Sequence, residues 1–423
     1  MVERFGFHSI ISPSKSGWHD WLFSRIVDTK SAYSLIFTRV IYAINWYNIA
    51  SLFAQMATDL HQNVSGLGLI TAAFYIGLGV FQVPGGILAA RIGPRKTAVI
   101  GTVIASAASL SIALVTDLYQ VVLLRLLVGL GMAFVFAPGV ILVSRTVTKG
   151  SEGFAVGLYN SAFYLGGVLG LFGWAVLGEF AGWRTSLLFS GGLGLLSALL
   201  LIAVLPKDVR RTEFRIMPSH LRTVLLDPWL IVVSITLLAL GVGSTIFSSF
   251  VPYYAHQSLG MQSSFAGALG GLGVLFAFVF SPLAGRIYDT FRNIKRLLFY
   301  TGILMAVGIS LSVFSSVFAT AISGVLIGVA SGGFTLGFSS ARESVKIEPE
   351  YETLAVSWVN SVSLFGDFVP PLIFSATVLG YGYGLAWVVS GILTAVLLIP
   401  LLVARSPQRS SVKQSPQAPV EIN

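Results

Sequence analysis

Residues 155–166 read AVGLYNSAFYLG and residues 355–366 read AVSWVNSVSLFG, so two similar stretches recur at an offset of 200 positions. Without a gap, the same offset aligns Ser190-Gly191 with Ser390-Gly391. In a chain with 45 glycines, small and apolar residues often match by chance, but the two Asn-Ser pairs also fall at the same depth of equivalent apolar segments. The spacing therefore indicates a duplicated chain with two equivalent halves.

The composition around these stretches is typical of a membrane protein. Of the 423 residues, 55% are hydrophobic and 10% are charged, and the mean hydropathy is +0.84. In an ordinary soluble domain, about a quarter of all residues are charged. So few charges cannot cover the surface of a 45.1 kDa protein, and most of that surface must face lipid. We predict an all-α membrane protein, because each helix satisfies its own backbone polar groups in lipid.

Twelve apolar segments, numbered here as spans 1 to 12, are long enough to cross a bilayer. The longest polar stretch divides them six and six. This division predicts an N-terminal bundle (32–205), a cytoplasmic linker (206–228) and a C-terminal bundle (229–404). The twelve spans cover residues 32–56, 66–89, 97–115, 120–143, 154–176, 185–205, 229–254, 264–283, 297–316, 319–340, 354–378 and 384–404.

The distribution of Lys and Arg gives the orientation of these spans. With the N-terminus inside, the inner segments hold 23 of the 26 Lys and Arg residues, and the outer loops hold Arg184. Because cytoplasmic loops are enriched in positive charge, we expect a plasma-membrane protein with both termini in the cytoplasm. Residues 1–31 fit either an amphipathic helix on the inner leaflet or a disordered tail. Residues 405–423, rich in Ser, Pro and Gln, are predicted to be disordered.

Three motifs resemble those of the major facilitator superfamily. Residues 86–96, GILAARIGPRK, are similar to its signature loop between spans 2 and 3. Residues 125–131, RLLVGLG, resemble its span 4 motif, and residues 283–289, LAGRIYD, are a weaker copy of the loop between spans 8 and 9. The resemblance covers about residues 32–404 and implies two pseudosymmetric six-helix bundles that expose a site near the midplane alternately. It also implies a conformational role for the loop residues Gly86, Arg91, Gly93, Arg95, Lys96, Arg286 and Asp289.

The signature loop departs from the family pattern at one position. Where the family has an acid, this chain has Ala90, and Gly285 occupies the matching position in the second half. In the family that acid belongs to a charge network that latches the halves on the cytoplasmic side. We therefore expect a latch that is weaker or built differently, and hydrogen bonds from Arg91 and Arg286 to helix C-terminal carbonyls are one substitute.

Asp367 is the one acid within the predicted spans. A carboxylate at this depth is costly and usually faces a partner or a water-filled cavity. Asn360, Ser363 and Asp367 share one helical face, and Pro370-Pro371 should kink span 11 just beyond the acid. We predict that Asp367 carries a proton, and the alternative is a structural acid bonded to a neighbouring helix.

Two arginines lie within the spans. Arg125 in span 4 has three possible roles: it could pair with Asp367, hold a substrate anion, or brace helix-end carbonyls, and the family motif favours a structural or conformational role. Arg39 lies near the inner end of span 1, where we expect its side chain to reach the cytoplasmic headgroups rather than bind a ligand.

Polar stripes in several spans are candidates for a substrate cavity. Amides and phenols can bind a polar solute without a formal charge, but interhelical hydrogen bonding is an equally common use of such residues. The candidates are Tyr42, Asn45, Asn48, Tyr75, Gln82, Arg125, Asn160, Asn360 and Ser363.

We predict a monomeric secondary transporter of a small molecule, driven by proton symport. Span 2 resembles anion-transporting branches of the superfamily, which slightly favours an organic or inorganic anion. However, the acid-Arg pair of those carriers reads Asn45-Trp46 here, so a neutral solute also fits. A uniporter or proton-driven exporter of hydrophobic compounds and a non-transporting membrane sensor are the alternatives.

The residue inventory argues against other classes of protein. The chain has no cysteine, and its five histidines lie in polar segments, so we expect no metal, cofactor or enzyme activity. Nucleic acid binding has no support, because the basic residues follow the inner loops.

Overall fold

The computed structural model describes residues 26–148, 151–208, 218–291, 293–342 and 352–404. In these ranges the chain is helical, apart from loops and one isolated bridge between Ile26 and Val147. The first 25 residues, most of the linker and the tail from residue 405 lie outside the described residues, as do the predictions of an amphipathic helix and of disorder made for them.

The helices follow the twelve predicted spans, which confirms the predicted fold class. Several spans are interrupted, and a short helix, Pro218–Leu225, precedes span 7. Spans 1 to 6 are Thr29–Trp46 with Asn48–Asp59, Val64–Ile92, Pro94–Ile112, Leu118–Ser144, and Glu152–Val204 for spans 5 and 6 together. Spans 7 to 12 are Pro228–Ser258, Ser263–Phe291, Ile294–Ser310 with the 3-10 turn Leu311–Phe314, Val317–Ala330 with Gly332–Arg342, Glu352–Gly366 with Val369–Tyr381, and Tyr383–Leu397 with Ile399–Val403.

Within the described ranges, nine helical segments are individually long and apolar enough to cross a membrane. One of them, Phe154–Val204, holds two spans and turns at Gly182. Span 1, interrupted at Tyr47, and the 19-residue span 3 complete the set of twelve. Spans 9 and 10 separate at the predicted Ser315-Ser316 boundary, where Ser315 adopts a left-handed conformation and Ser316 caps the next helix.

Several spans begin with a polar side chain that lies just before the apolar run. Asp28, Asn63, Asp117 and Asp227 precede spans 1, 2, 4 and 7, and each side-chain oxygen accepts a backbone N–H of the first turn. These N–H groups have no partner within the helix, so the caps satisfy them at the ends of the spans.

The two halves repeat the same contacts at the offset of 200 positions. The Arg95 Nη2 donates to the carbonyl of Ile202 at 2.6 Å, and the Lys295 Nζ donates to the carbonyl of Leu402 at 2.8 Å. Each bond joins the start of a bundle's third span to the end of its sixth. The offset first seen in the sequence is therefore also a structural repeat.

The halves meet at their outer ends and at mid-depth; inner and outer here name the sides that the charge pattern predicts. At the outer ends, the Glu179 carboxylate accepts the backbone N–H of Ser264 at 2.8 Å, and the rings of Phe53 and Tyr253 lie 5.1 Å apart. At mid-depth, the Ser361 hydroxyl donates to the carbonyl of Gly79 at 3.1 Å. The described residues therefore show an arrangement closed on the outer side.

We expect Gly182→Ala to destabilise the protein by about 1–3 kcal/mol. Gly182 has φ 79° and ψ 161°, and Gly382 has φ 85° and ψ 171° at the equivalent turn between spans 11 and 12. Residues other than glycine are strained in this region. Thermal unfolding of purified protein, followed by fluorescence size-exclusion chromatography, measures the loss. The control is Gly173→Ala, because Gly173 is helical and has open space around its missing Cβ. Equal melting temperatures for the two variants would contradict the expectation.

Candidate functional site

Asp367 lies in a gap between the two helices of span 11. The inner helix ends at Gly366 and the outer helix begins at Val369. Pro370 and Pro371 have no N–H to donate to the carbonyls one turn earlier, so the helical hydrogen bonding stops there. The interruption was predicted just beyond the acid and is found at the acid itself.

The Asp367 carboxylate is buried against span 7. Its side chain is 5% exposed, and its Oδ1 has no hydrogen-bond partner among the described residues. A Cβ on Gly241 of span 7 would lie 2.3 Å from that oxygen, so the glycine makes the space for the acid. On the same face, the Ser363 hydroxyl donates to the carbonyl of Asn360 at 3.0 Å.

Arg125 is buried in the N-terminal bundle and bonds to the interruption of span 1. Its Nη2 donates to the carbonyl of Trp46 at 2.7 Å, and its Nη1 donates to Asn48 Oδ1 at 3.2 Å. The guanidinium carbon lies 4.5 Å from the centre of the Phe74 ring. Because the first helix of span 1 ends at Trp46, the carbonyl there is free to accept a side-chain donor. In this structure Arg125 braces helix-end groups, and it forms no ion pair with Asp367.

The prediction that the Arg39 side chain reaches the cytoplasmic headgroups is wrong. Its side chain is 5% exposed, so it is buried and does not reach the headgroups as expected. Four aromatic rings enclose the guanidinium, with centroids 4.5–5.0 Å from its carbon; they belong to Tyr42, Phe136, Tyr159 and Phe163. Cation–π attraction stabilises the charge in place of water. Its Nε and Nη1 have no hydrogen-bond partner among the described residues.

The amides of span 1 form interhelical hydrogen bonds in this structure. The Nδ2 of Asn45 donates to the carbonyl of Ser190 at 3.0 Å, and the Nδ2 of Asn48 donates to Ser109 Oγ and Ser190 Oγ at 3.1 and 2.8 Å. These bonds tie span 1 to spans 3 and 6. That these amides line a substrate cavity stays a prediction.

The other candidate residues are also enclosed. Tyr75 accepts a hydrogen bond from Thr245 of span 7 at 3.0 Å, which joins the two halves. Both polar atoms of the Gln82 amide are buried without a partner among the described residues. Asn360 is buried, and Asn160 is half-buried.

Two small cavities, of about 20 Å³ each, adjoin these residues. One lies beside Arg125 and is also lined by Trp46, Tyr75 and Ser249 of span 7. The other is lined by Tyr42 and polar side chains of the N-terminal bundle. Each has room for about one water molecule, whereas pockets for small molecules measure about 300–1,000 Å³. Neither cavity has room for a small-molecule substrate in this structure.

The signature loop is held by an acid that the sequence analysis missed. Asp208, just after span 6, accepts the backbone N–H groups of Arg95 and Lys96 at 3.1 and 3.0 Å. Its carboxylate packs against Gly93, which has φ 102° and no room for a Cβ. The acid thus caps span 3 from the start of the linker.

Hydrogen bonds to helix C-terminal carbonyls occur at these loops, and among the described side chains they are made by residues other than Arg91. Arg95 and Lys295 make them, whereas Arg91 is exposed. Gly86 has open space around it. The side chains of Arg286 and Asp289 lie outside the described residues.

An ion pair joins the outer ends of spans 1 and 6 in the N-terminal bundle. Asp59 lies beyond the apolar part of span 1 and pairs with Arg184, and it also accepts the Trp183 Nε1 at 3.1 Å. The hydrogen bond from Arg184 holds the pKa of Asp59 below its usual value. Both side chains of the ion pair are more than two-fifths exposed, so its contribution to stability is small.

The fold and these sites can be compared with known proteins. A solved structure with a TM-score of 0.69 and 17% identity covers 88% of this chain and 94% of its own: a bacterial homolog of the human lysosomal transporter Spinster, inward-facing and occupied. The nitrite extrusion protein of Bacillus subtilis (strain 168) is 22% identical over 78% of this chain and 82% of its own length.

A further relative, the inner membrane transport protein YnfM of Escherichia coli (strain K12), is 31% identical over 165 residues. That match spans 39% of this chain and 37% of the relative. The family model of the Major Facilitator Superfamily matches residues 35–346 and again residues 233–422. By this match, which covers both halves, the chain belongs to the Major Facilitator Superfamily.

Proposed function

We propose that this membrane transporter moves a small anion together with a proton, and that Asp367 carries the proton. Asp367 is a carboxyl group buried against Gly241 of span 7, and its Oδ1 has no hydrogen-bond partner among the described residues. A protonated carboxyl is far cheaper to bury than a carboxylate, so closing this site favours the bound proton, and opening it to water favours release. This observation carries the proposal of proton coupling.

The anion is inferred from Arg39. A buried cation without a counterion is costly, and no acid among the described residues pairs with Arg39. An anionic substrate would supply the missing charge, and the Nε and Nη1, which have no partner among the described residues, would donate its hydrogen bonds. The relative named as a nitrite extrusion protein agrees with this substrate class.

We propose transport by alternating access between the two bundles. The contacts at the outer ends would separate when the substrate path opens outward, and the candidate residues of spans 1, 2, 5 and 11 would then line it. Gln82, whose two amide atoms have no partner among the described residues, is suited to that role. The working form is proposed to be a monomer in the plasma membrane with cytoplasmic termini.

Uptake into proteoliposomes tests this function. With an acidic exterior and a neutral interior, we expect labelled nitrite or a small aliphatic carboxylate to accumulate well above the level in liposomes without protein, and we expect no such excess without the pH gradient. The proposal would be contradicted if a membrane voltage at uniform pH drove the same accumulation. It would also be contradicted if neutral solutes from a panel were taken up and no anion was.

Arg39→Gln is expected to raise the half-saturating concentration of the transported anion at least 10-fold, because it removes the buried positive charge. Arg39→Lys keeps the charge and loses the planar donors, so we expect an intermediate effect. The same saturation curves measure both variants, and Arg184→Gln at the exposed outer ion pair is the matched control. Unchanged saturation in Arg39→Gln would assign the anion to another residue.

A further inference from the structure

Trp46 occupies a special position in span 1. It is the last residue of the first helix of that span, and the second helix begins at Asn48. A residue at such an interruption has fewer helical hydrogen bonds to hold it. It can therefore move with less cost than a residue in the middle of a continuous helix.

The Trp46 ring contacts aromatic rings that pack on each of the two buried arginines. Its centroid is 4.7 Å from the ring of Phe74, which faces the Arg125 guanidinium. It is also 5.4 Å from the ring of Phe163, which faces the Arg39 guanidinium. A continuous series of aromatic contacts therefore links Arg125 to Arg39 through Trp46.

The backbone of Trp46 is bonded to one of the same arginines. Its carbonyl accepts the Arg125 Nη2 at 2.7 Å, and Asn48, on the other side of the interruption, accepts the Nη1 at 3.2 Å. An anion that binds the Arg125 guanidinium would compete with these two oxygens for its donors. Binding at Arg125 would thereby loosen the interruption in span 1 that carries Trp46.

We propose that Trp46 is a gate between two successive anion-binding stations, with Arg125 toward the outer side and Arg39 toward the inner side. The inference rests on the proposed transport of an anion. Arg125 keeps the gate shut through the Trp46 carbonyl, and the arriving anion releases it. Each guanidinium then serves one step of the path, so the substrate is not held between two cations at once.

The gate can be tested without a substrate, because the natural chain has no cysteine to give background labelling. Ser249→Cys reports the Arg125 side, since Ser249 lines the cavity there. Phe136→Cys reports the Arg39 side, since the Phe136 ring faces that guanidinium at 5.0 Å. The probe is a membrane-impermeant methanethiosulfonate with a sulfonate group, added outside right-side-out vesicles.

When the outer contacts separate and the path opens outward, Ser249→Cys is expected to react with the probe and Phe136→Cys to react slowly as long as Trp46 is present. Adding Trp46→Ala should accelerate labelling of Phe136→Cys at least 10-fold, and Trp46→Leu, a milder change of the packing, should accelerate it several-fold. The control is Trp174→Ala, because Trp174 is also buried beside span 1, where its Nε1 donates to the carbonyl of Ile44 at 2.9 Å, but it does not lie between the arginines. Arg125→Gln should accelerate labelling at least threefold.

The gate would be overturned if the labelling rate of Phe136→Cys changed less than twofold in both Trp46 variants while Ser249→Cys still reacted. An equal acceleration by Trp174→Ala would overturn it as well, since the effect would then be general loosening. If Arg125→Gln left the labelling rate of Phe136→Cys unchanged, Arg125 would not be the residue that keeps the gate shut. Absence of anion uptake in proteoliposomes would instead refute the proposed function, because the labelling rates do not depend on transport.

Discussion

Asp367→Asn is expected to abolish the accumulation of substrate that an inwardly directed proton gradient drives, to the level of liposomes without protein. Asparagine has nearly the same shape as aspartate but cannot take up or release a proton. Exchange of labelled for unlabelled substrate across the membrane should persist, because it needs no net proton movement. Uptake and exchange are measured in the same proteoliposome preparation, which separates loss of coupling from loss of fold.

The matched control is Asp117→Asn. Asp117 caps span 4 at the outer side, and asparagine caps helices about as well as aspartate. This variant should accumulate substrate as the natural protein does. If Asp367→Asn still accumulates substrate on a proton gradient, Asp367 is a structural acid and the proton travels elsewhere.

Gly241→Ala is expected to reduce transport at least 10-fold and to destabilise the protein by about 1–3 kcal/mol, the usual cost of overpacking. The added Cβ would lie 2.3 Å from Asp367 Oδ1, so the carboxylate or span 7 must move. Gly243→Ala is the control two residues along the same helix. A Cβ there would meet the end of the Met305 side chain, which can turn aside.

A double-mutant cycle assigns this effect to the contact itself. In an Asp367→Ala background the space is empty, so adding Gly241→Ala should cost little further stability. Melting temperatures of the four proteins, measured by fluorescence size-exclusion chromatography, give the coupling. Equal losses from Gly241→Ala in both backgrounds would show that the glycine is needed for helix packing and not for the acid.

The sequence predicted the elements well because spans depend on local composition. Stretches of about 20 apolar residues must be helical in lipid, so the spans follow from the local composition alone. The offset of 200 predicted the repeat, since duplicated halves keep equivalent turns such as those at Gly182 and Gly382. Asp367 was identifiable as a candidate because an acid in an apolar span is costly.

The surroundings of the candidate residues could not be predicted in the same way. Depth along span 1 suggested that Arg39 reaches the headgroups, but depth does not tell which face of the helix a residue occupies or which rings lie across from it. Asp208 gave no signal, because its partners lie more than 100 positions away, at Arg95 and Lys96. Gly241 was one glycine among 45 until span 7 was placed against span 11.

By itself, then, the sequence determined that this is a membrane protein with twelve spans in two related halves, and it predicted the orientation from charge. These properties follow from hydrophobic burial and backbone hydrogen bonding, which act within each segment. Only the tertiary structure decided that Arg39 is enclosed by aromatic rings, that Arg125 bonds to the broken end of span 1 and that Asp367 lies against a glycine. Such contacts join residues that are distant in sequence, and they depend on how the faces of different helices meet.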